Sequence, residues 1–162
     1  MTKTYRQKGR DVHALAGVDL QIAAGEFATI QGPTGGGKST LLQILGGLDV
    51  PTSGTVMIGE TDLAAASAAD LQNVRAHEIG FVFQAFNLIP TLTASENVAM
   101  GLEPLRLDRA ERDARVAQAL EHVGLSGRGG HRPGAPSGRQ QQPGAIARGI
   151  ATRPGGSLAA EP

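Results

Sequence analysis

Apolar and polar positions repeat with two different periods along the first 123 residues. Residues 12–22 alternate in part, which predicts a half-buried strand, and the continuous apolar run at 79–83 is typical of a strand buried on both faces. In residues 38–48 the period is helical, because apolar residues recur three or four positions apart: Leu41, Leu42, Leu45 and Leu48.

The same pattern predicts the remaining elements. Residues 26–31 and 54–59 are β-prone runs that predict two short strands. Three more segments predict helices: 67–78 with a Ser or Asp cap, 93–102 with a start at Ser95, and 108–124 with the cap Asp108, the stop Gly124 and an apolar face of Val116, Leu120 and Val123. Strands that alternate with helices predict an α/β domain with a largely parallel sheet.

Composition narrows the class of protein. The 162 residues suffice for one domain with a core, and 15 basic residues balance 15 acidic ones, so no net field favours nucleic acid or an anionic membrane. The chain has no cysteine, no signal-peptide pattern at its start and no apolar run of about 18 residues. We therefore expect a cytoplasmic protein.

Glycine and proline are concentrated near the C-terminal end. Residues 124–162 contain ten glycines and five prolines, a share above the roughly 25–30% that suggests disorder. Composition alone therefore predicts that order falls after Gly124.

A glycine-rich motif follows the predicted strand at 26–31 and precedes a leucine-faced helix. It has the P-loop spacing of one glycine, four residues and then Gly-Lys-Ser, and comprises Gly32, Pro33, Thr34, Gly35, Gly36, Gly37, Lys38, Ser39 and Thr40. Glycines let backbone N–H groups turn toward a phosphate, Lys38 supplies a positive charge, and the Ser39 hydroxyl suits Mg²⁺. The helix directs the positive end of its dipole at the same anion. A flexible turn before an unrelated helix is the alternative, but the strand and helix around the motif favour a phosphate site.

With this motif in place, two segments resemble the ATPase subunits of ATP-binding-cassette (ABC) transporters. They are residues 13–56, HALAGVDLQI through PTSGTV, and residues 79–100, IGFVFQAFNLIPTLTASENVAM. The segments GGLDVPTSG and FNLIPTLTASENV are most similar to the branch that drives lipoprotein release and macrolide export. The resemblance covers most of residues 3–123. It implies one P-loop NTPase domain of ABC ATPase type over residues 1–162, with an N-terminal β portion, a parallel core and a helical subdomain at 86–130, but without the C-terminal core strands.

The resemblance also implies roles for single residues and partners. Tyr5 is expected to stack on adenine, and Gln84 to reach Mg²⁺ and the attacking water. The cofactors are ATP and Mg²⁺, with Ser39 and Gln84 near the metal. The implied partners are a membrane permease on a separate chain and a second ATPase subunit paired head to tail, with no nucleic acid. This places the chain at the inner face of the cell membrane.

Residues 131–162 match the signature and Walker B regions of this family only in part. Ser137, Gly138 and Gln140 agree with the signature that contacts ATP on the opposite subunit. Arg139 replaces a glycine there, and Pro136 replaces a leucine. Pro143 and Gly144 fall inside an expected helix, where a proline costs about 3 kcal/mol and a glycine about 1 kcal/mol.

The metal-binding strand departs further from the family pattern. Gly156 and Ser157 weaken the expected strand, and Ala160 stands where an aspartate is expected to hold Mg²⁺ through water. Glu161 takes the position of the catalytic base, next to the last residue. The resemblance therefore implies a chain that binds ATP and hydrolyses it poorly.

Two other functions are compatible with the same residues. One is a nucleotide-binding fragment without turnover, or the product of a decayed gene, since several departures arise from single changes to G or C. The other is a DNA-repair ABC ATPase, but those proteins carry a very long insertion where only 52 residues separate Gln84 from Ser137. The transport ATPase is preferred to both.

Overall fold

Strands and helices alternate along the part of the chain that the computed structural model describes. It describes residues 1–7, 9–133 and 138–160, apart from the side chains of residues 7 and 138–140. The strands are β1 Thr2–Gln7, β2 Arg10–Ala16, β3 Met57–Ile58, β4 Thr61–Asp62, β5 Ile79–Val82 and β6 Gly156–Ala159. The helices are α1 Lys38–Leu45, α2 Ala68–His77, α3 Ala94–Leu102, α4 Arg109–His122 and α5 Gly138–Ile150, and a 3-10 turn follows α3 at Glu103–Leu105. The chain forms two compact units, Met1–Leu71 and Gln72–Pro162.

The first unit is built from two hairpins and α1. Strands β1 and β2 pair antiparallel, from Thr2 opposite Ala16 to Gln7 opposite Arg10, and β3 pairs with β4. Ile44 of α1 is fully buried, and Leu41 and Leu15 are buried as well. Leu41 and Ile44 thus form the core of α1 beside β2. Of the predicted leucine stripe only Leu41 is buried, because Leu42 and Leu45 are half-buried.

The second unit packs helices beside a parallel pair of strands. β5 and β6 run parallel, with Ile79 opposite Gly156 and Val82 opposite Ala159. Helix α5 approaches β5 very closely, because an added Cβ at Gly80 would overlap the carbonyl oxygen of Gly149.

Helices α3, α4 and α5 share one apolar core. Its buried members are Val98, Leu102, Val116, Ala119, Leu120, Ala147 and Ala151. Side-chain caps fix where two of these helices begin, since Thr93 and Glu96 form a capping box on α3 and Asp108 accepts from the Glu111 amide on α4.

The predicted strand at residues 26–31 is wrong. The structure places these residues in irregular backbone, and the Phe27 side chain is 93% exposed. A β-prone run becomes a strand only where another strand supplies its hydrogen bonds, and within the described residues none pairs with this segment.

Several boundaries also differ from the predictions. The strand predicted at 12–22 ends at Ala16, the strand at 54–59 shrinks to β3, and α1 ends at Leu45, which leaves Leu48 exposed. Helix α3 is capped by Thr93 rather than beginning at Ser95. Among the helix predictions, 67–78 and 108–124 are confirmed, with Ser67 bonded to the Asp70 amide and Asp108 in the cap position.

The disorder predicted from glycine and proline content is wrong for residues 138–160, which form α5 and β6. Helix α5 continues through Pro143 and Gly144, which composition marked as breakers. Its buried Ala145 and Ala147 supply the tertiary packing that overrides local propensity.

Within the described ranges, none of the helices is both long and apolar enough to cross a bilayer.

Candidate nucleotide-binding site

Three glycines of the P-loop have positive φ angles, which glycine adopts more readily than other residues. Gly32, Gly35 and Gly37 have φ of +156°, +80° and +83°. The Gly36 amide donates to the Pro33 carbonyl at 3.1 Å, which closes a tight turn through Thr34 and Gly35. At +80° any side chain adds backbone strain, so the glycines at 35 and 37 are required by conformation.

Gly37 meets a second constraint, because it lies against β2. An added Cβ there would overlap the Ala14 carbonyl oxygen and come within 2.9 Å of a Leu15 methyl carbon. Gly37 is also the N-cap of α1, with no side-chain cap on the helix. The N–H groups at the start of α1 therefore have no side-chain acceptor from the N-cap residue. An anion that binds at a helix N-terminus needs such N–H groups as donors.

The Lys38 ammonium folds back over the loop. Its Nζ donates to the carbonyl oxygens of Gly32 at 2.7 Å and Pro33 at 2.9 Å. A phosphate bound at the loop would replace these two carbonyls as the acceptor of Lys38, which is a charge-assisted contact.

Ser39 and Thr40 lie on the first turn of α1, and Ser39 is exposed. A hydroxyl oxygen in this position suits Mg²⁺, which keeps several waters and takes most other ligands from substrate phosphates. Among the described residues, no group of three or more His, Asp or Glu is placed to hold a metal. The Ser39 hydroxyl fits a metal that takes most of its other ligands from a nucleotide and from water.

Tyr5 of β1 is fixed by two charged neighbours. Its hydroxyl donates to Asp49 Oδ2 at 2.8 Å, and Lys3 Nζ donates to Asp49 Oδ1 at 2.7 Å. The Lys3 ammonium also lies 4.8 Å from the centroid of the Tyr5 ring. Burial and the bond to Asp49 raise the pKa of Tyr5, against a lowering bond from Thr40. Burial would favour a neutral Asp49, but bonds from Lys3, Tyr5 and the Val50 amide hold its pKa below the usual value.

Gln84 and Ala160 lie at one edge of the second unit's sheet. Gln84 is exposed in a turn two residues after β5, and the Ala160 amide donates to the Val82 carbonyl at 3.0 Å just after β6. The carboxyl ends of parallel strands meet at the same edge, so β5 and β6 bring these two positions together. Position 160 presents a methyl group where the resemblance predicts a carboxylate.

Arg148 of α5 braces the turn that follows Gln84. Its guanidinium donates to the carbonyls of Phe86 at 2.7 Å and Asn87 at 2.6 Å, and burial lowers the pKa of Arg148. Phe86 and Asn87 have left-handed φ of +58° and +48°, which is uncommon for residues with side chains. Two charge-assisted bonds stabilise this conformation.

Part of the predicted site lies outside the description. Ser137 and Glu161 are not among the described residues, and Gly138, Arg139 and Gln140 are described as backbone of α5 only. Their predicted roles, like those of Tyr5 and Gln84, stay predictions.

Sequence reasoning did not find Asp49 or Arg148. Asp49 is 44 positions from Tyr5, and Arg148 is 62 positions from Phe86. Nothing in local spacing marks either residue.

Comparison with known proteins agrees with this geometry. The sequence model of the ABC transporter family matches residues 15–162. The lipoprotein-releasing system ATP-binding protein LolD of Bordetella avium is 43% identical over 162 residues, which are 100% of this chain and 70% of LolD. The methionine import ATP-binding protein MetN of Corynebacterium diphtheriae is 42% identical over 161 residues, 99% of this chain and 47% of MetN.

A solved structure gives the same result. The dimeric post-hydrolysis state of the ATP-binding cassette MJ0796, bound to ADP and Pi, superposes with a TM-score of 0.88 at 43% identity. The match covers 98% of this chain and 70% of that one. The chain belongs to the ABC transporter family and has the mixed α/β P-loop fold of its ATP-binding cassettes. It spans between about half and seven-tenths of the length of these relatives.

Proposed function

We propose that this chain binds ATP with Mg²⁺ and couples that binding to a transporter permease on a separate chain. The observation that carries the proposal is the loop at 32–40. Three glycines take the required backbone conformations there, and Lys38 and the start of α1 lie directly after them. All of these groups favour a polyphosphate by charge or by N–H donation.

Each group has a distinct part in binding. The loop amides and the α1 dipole hold the phosphates, and the Lys38 ammonium leaves its two carbonyl acceptors to neutralise them. Ser39 offers its hydroxyl to Mg²⁺, and Tyr5 stacks on the base, since aromatic–base stacking contributes about 1–3 kcal/mol. Mg²⁺, when bound, supplies charge stabilisation to the phosphates.

We further propose that hydrolysis by this chain is impaired. Phosphoryl transfer depends mainly on positioning and on stabilising charge in the transition state. Ala160 removes a carboxylate from the sheet edge beside Gln84, and Arg139 puts a long side chain where the family pattern has glycine. Binding without matching turnover is the second candidate function, and the Ala160 methyl is the observation that favours it.

The transport partners are proposed on resemblance. Residues 86–130 form the helical subdomain that docks on the permease, and residues 131–162 contain the signature and Walker B regions. The cassette pairs head to tail with a second ATPase subunit, at the inner face of the cell membrane. The names of the relatives include both lipoprotein release and methionine import, and we favour the lipoprotein-release and macrolide-export branch on the FNLIPTLTASENV wording.

Titration with Mg–ATP tests the binding proposal. Lys38→Ala is expected to abolish binding, because it removes the only side-chain cation of the loop. Arg10→Ala is the matched control, since Arg10 is an exposed cation of β2 in the same unit, and it should leave the affinity unchanged. Equal affinities of the parent chain and Lys38→Ala would refute the assignment.

A further inference from the structure

The Tyr5 side chain is held at two places by residues outside the phosphate-binding motif. The hydroxyl is bonded to Asp49, and one ring face is covered by the Lys3 ammonium. Lys3 is only 8% exposed, and it is bonded to the Val50 carbonyl as well as to Asp49. The three side chains therefore form one connected group, in which each restricts the other two.

This group joins β1 to the helix of the P-loop. Lys3 and Tyr5 are two positions apart on β1 and so lie on the same face of the strand. Asp49 follows the C-terminal end of α1, and its carboxylate accepts the hydrogen bond of the Tyr5 hydroxyl. The bond to Asp49 thus connects the Tyr5 ring to the segment that follows α1, the helix that begins in the P-loop.

We propose that Lys3 and Asp49 are positioning residues that fix the Tyr5 ring for stacking on the base of the bound nucleotide. The inference rests on the proposed function, because it requires a nucleotide at the 32–40 loop. Lys3 occupies one ring face, so the base takes the opposite face. The cation also interacts favourably with the ring itself.

Preorganisation is the physical reason. An aromatic side chain that is ordered only when a ligand binds loses rotamer freedom at that moment, which weakens binding. The bond to Asp49 fixes the ring before the ligand arrives. Fixing the Tyr5 ring strengthens the contact with the base and leaves the contacts with the phosphates unchanged. It should therefore raise the affinity for ATP without changing the affinity for triphosphate.

The experiment compares two probes, Mg–ATP and inorganic triphosphate with Mg²⁺, on the full chain. Tyr5→Phe keeps the stacking ring and removes only the hydroxyl, and Asp49→Asn keeps the volume and removes the charge. Each is expected to weaken ATP binding about two- to tenfold and to leave triphosphate binding unchanged. Tyr5→Ala should weaken ATP binding more, by about fivefold to a hundredfold.

A double variant and a control complete the design. Tyr5→Phe with Asp49→Asn should bind ATP no more weakly than the weaker single variant, because both changes remove the same charge-assisted hydrogen bond. Asp19→Asn, an exposed carboxylate of the same unit, should change neither affinity.

Three results would overturn the inference. They are a Tyr5→Phe chain that binds ATP as the parent does, an Asp49→Asn chain that loses ATP and triphosphate affinity equally, and a double variant with additive losses. Other results would show that the proposed function itself is wrong. In that case Lys38→Ala leaves both affinities unchanged, or the parent binds neither probe, and the inference fails with it.

Discussion

Asn97 is expected to hold the segment that leads into α3, and its loss should loosen that segment selectively. Its side chain is 99% buried and makes four hydrogen bonds to backbone. Oδ1 accepts from the Ile89 amide at 2.7 Å, and Nδ2 donates to the carbonyls of Ile89, Leu92 and Thr93 at 3.0–3.2 Å. This asparagine thus closes residues 89–93 against the first turn of the helix.

The cost of Asn97→Ala follows from which backbone groups lose their partner. The Ile89 carbonyl still accepts from the Leu92 amide, and the Thr93 carbonyl still accepts from the amide of residue 97. The Ile89 amide and the Leu92 carbonyl lose the partners described. An unsatisfied buried polar group costs about 1–3 kcal/mol, and part of this loop reaches water, so we expect a loss of about 2–4 kcal/mol in unfolding free energy.

Urea unfolding followed by circular dichroism measures the loss, and amide exchange measures where it falls. Residues 89–93 should exchange faster, while amides of the 32–40 loop should not change. Asn97→Asp is the matched variant, because it keeps the acceptor for Ile89 but sets an oxygen against three carbonyls, and it should destabilise at least as much. A loss below about 1 kcal/mol for Asn97→Ala, which also gains helix propensity, would refute this reasoning.

Three other outcomes are expected from single substitutions. Gly37→Ala should lower the unfolding free energy by at least about 1 kcal/mol more than Gly35→Ala, because both residues have left-handed φ but only position 37 meets a backbone oxygen; equal losses would contradict this. Arg148→Met should speed amide exchange at residues 86–88 by about tenfold or more, since two charge-assisted bonds are lost, and unchanged exchange would show that the turn holds itself. Ala160→Asp should raise steady-state phosphate release about tenfold or more if the missing carboxylate limits turnover, with the P-loop lysine variant as the blank. A rate equal to that of the parent would show that position 160 is not limiting.

Local features of this protein were predictable, because their causes lie within a few residues. The 32–40 spacing, the Asp108 cap and the helical period that begins at Lys38 each depend on neighbours at most one or two helical turns apart. The family and the fold were predicted from short sequence motifs of the same kind.

Long-range features were not predictable in this way. Residues 26–31 have the composition of a strand, yet a strand exists only with a partner. Pro143 and Gly144 suggest a broken helix, yet burial of Ala145 and Ala147 sustains α5. The contact of Tyr5 with Asp49 joins residues whose distance along the chain carries no signal at all.

The distance between Gln84 and Ala160 depends on the parallel register of β5 and β6, because each residue follows one of these strands. Both strands contribute four residues in step, from Ile79 beside Gly156 to Val82 beside Ala159. One residue inserted in the turn at 151–155 leaves this count intact. The same insertion within Gly156–Ala159 reverses the facing of every later side chain and moves position 160 about 3.3 Å along the sheet. Length variation among related chains should therefore accumulate in the turn and be excluded from the strand.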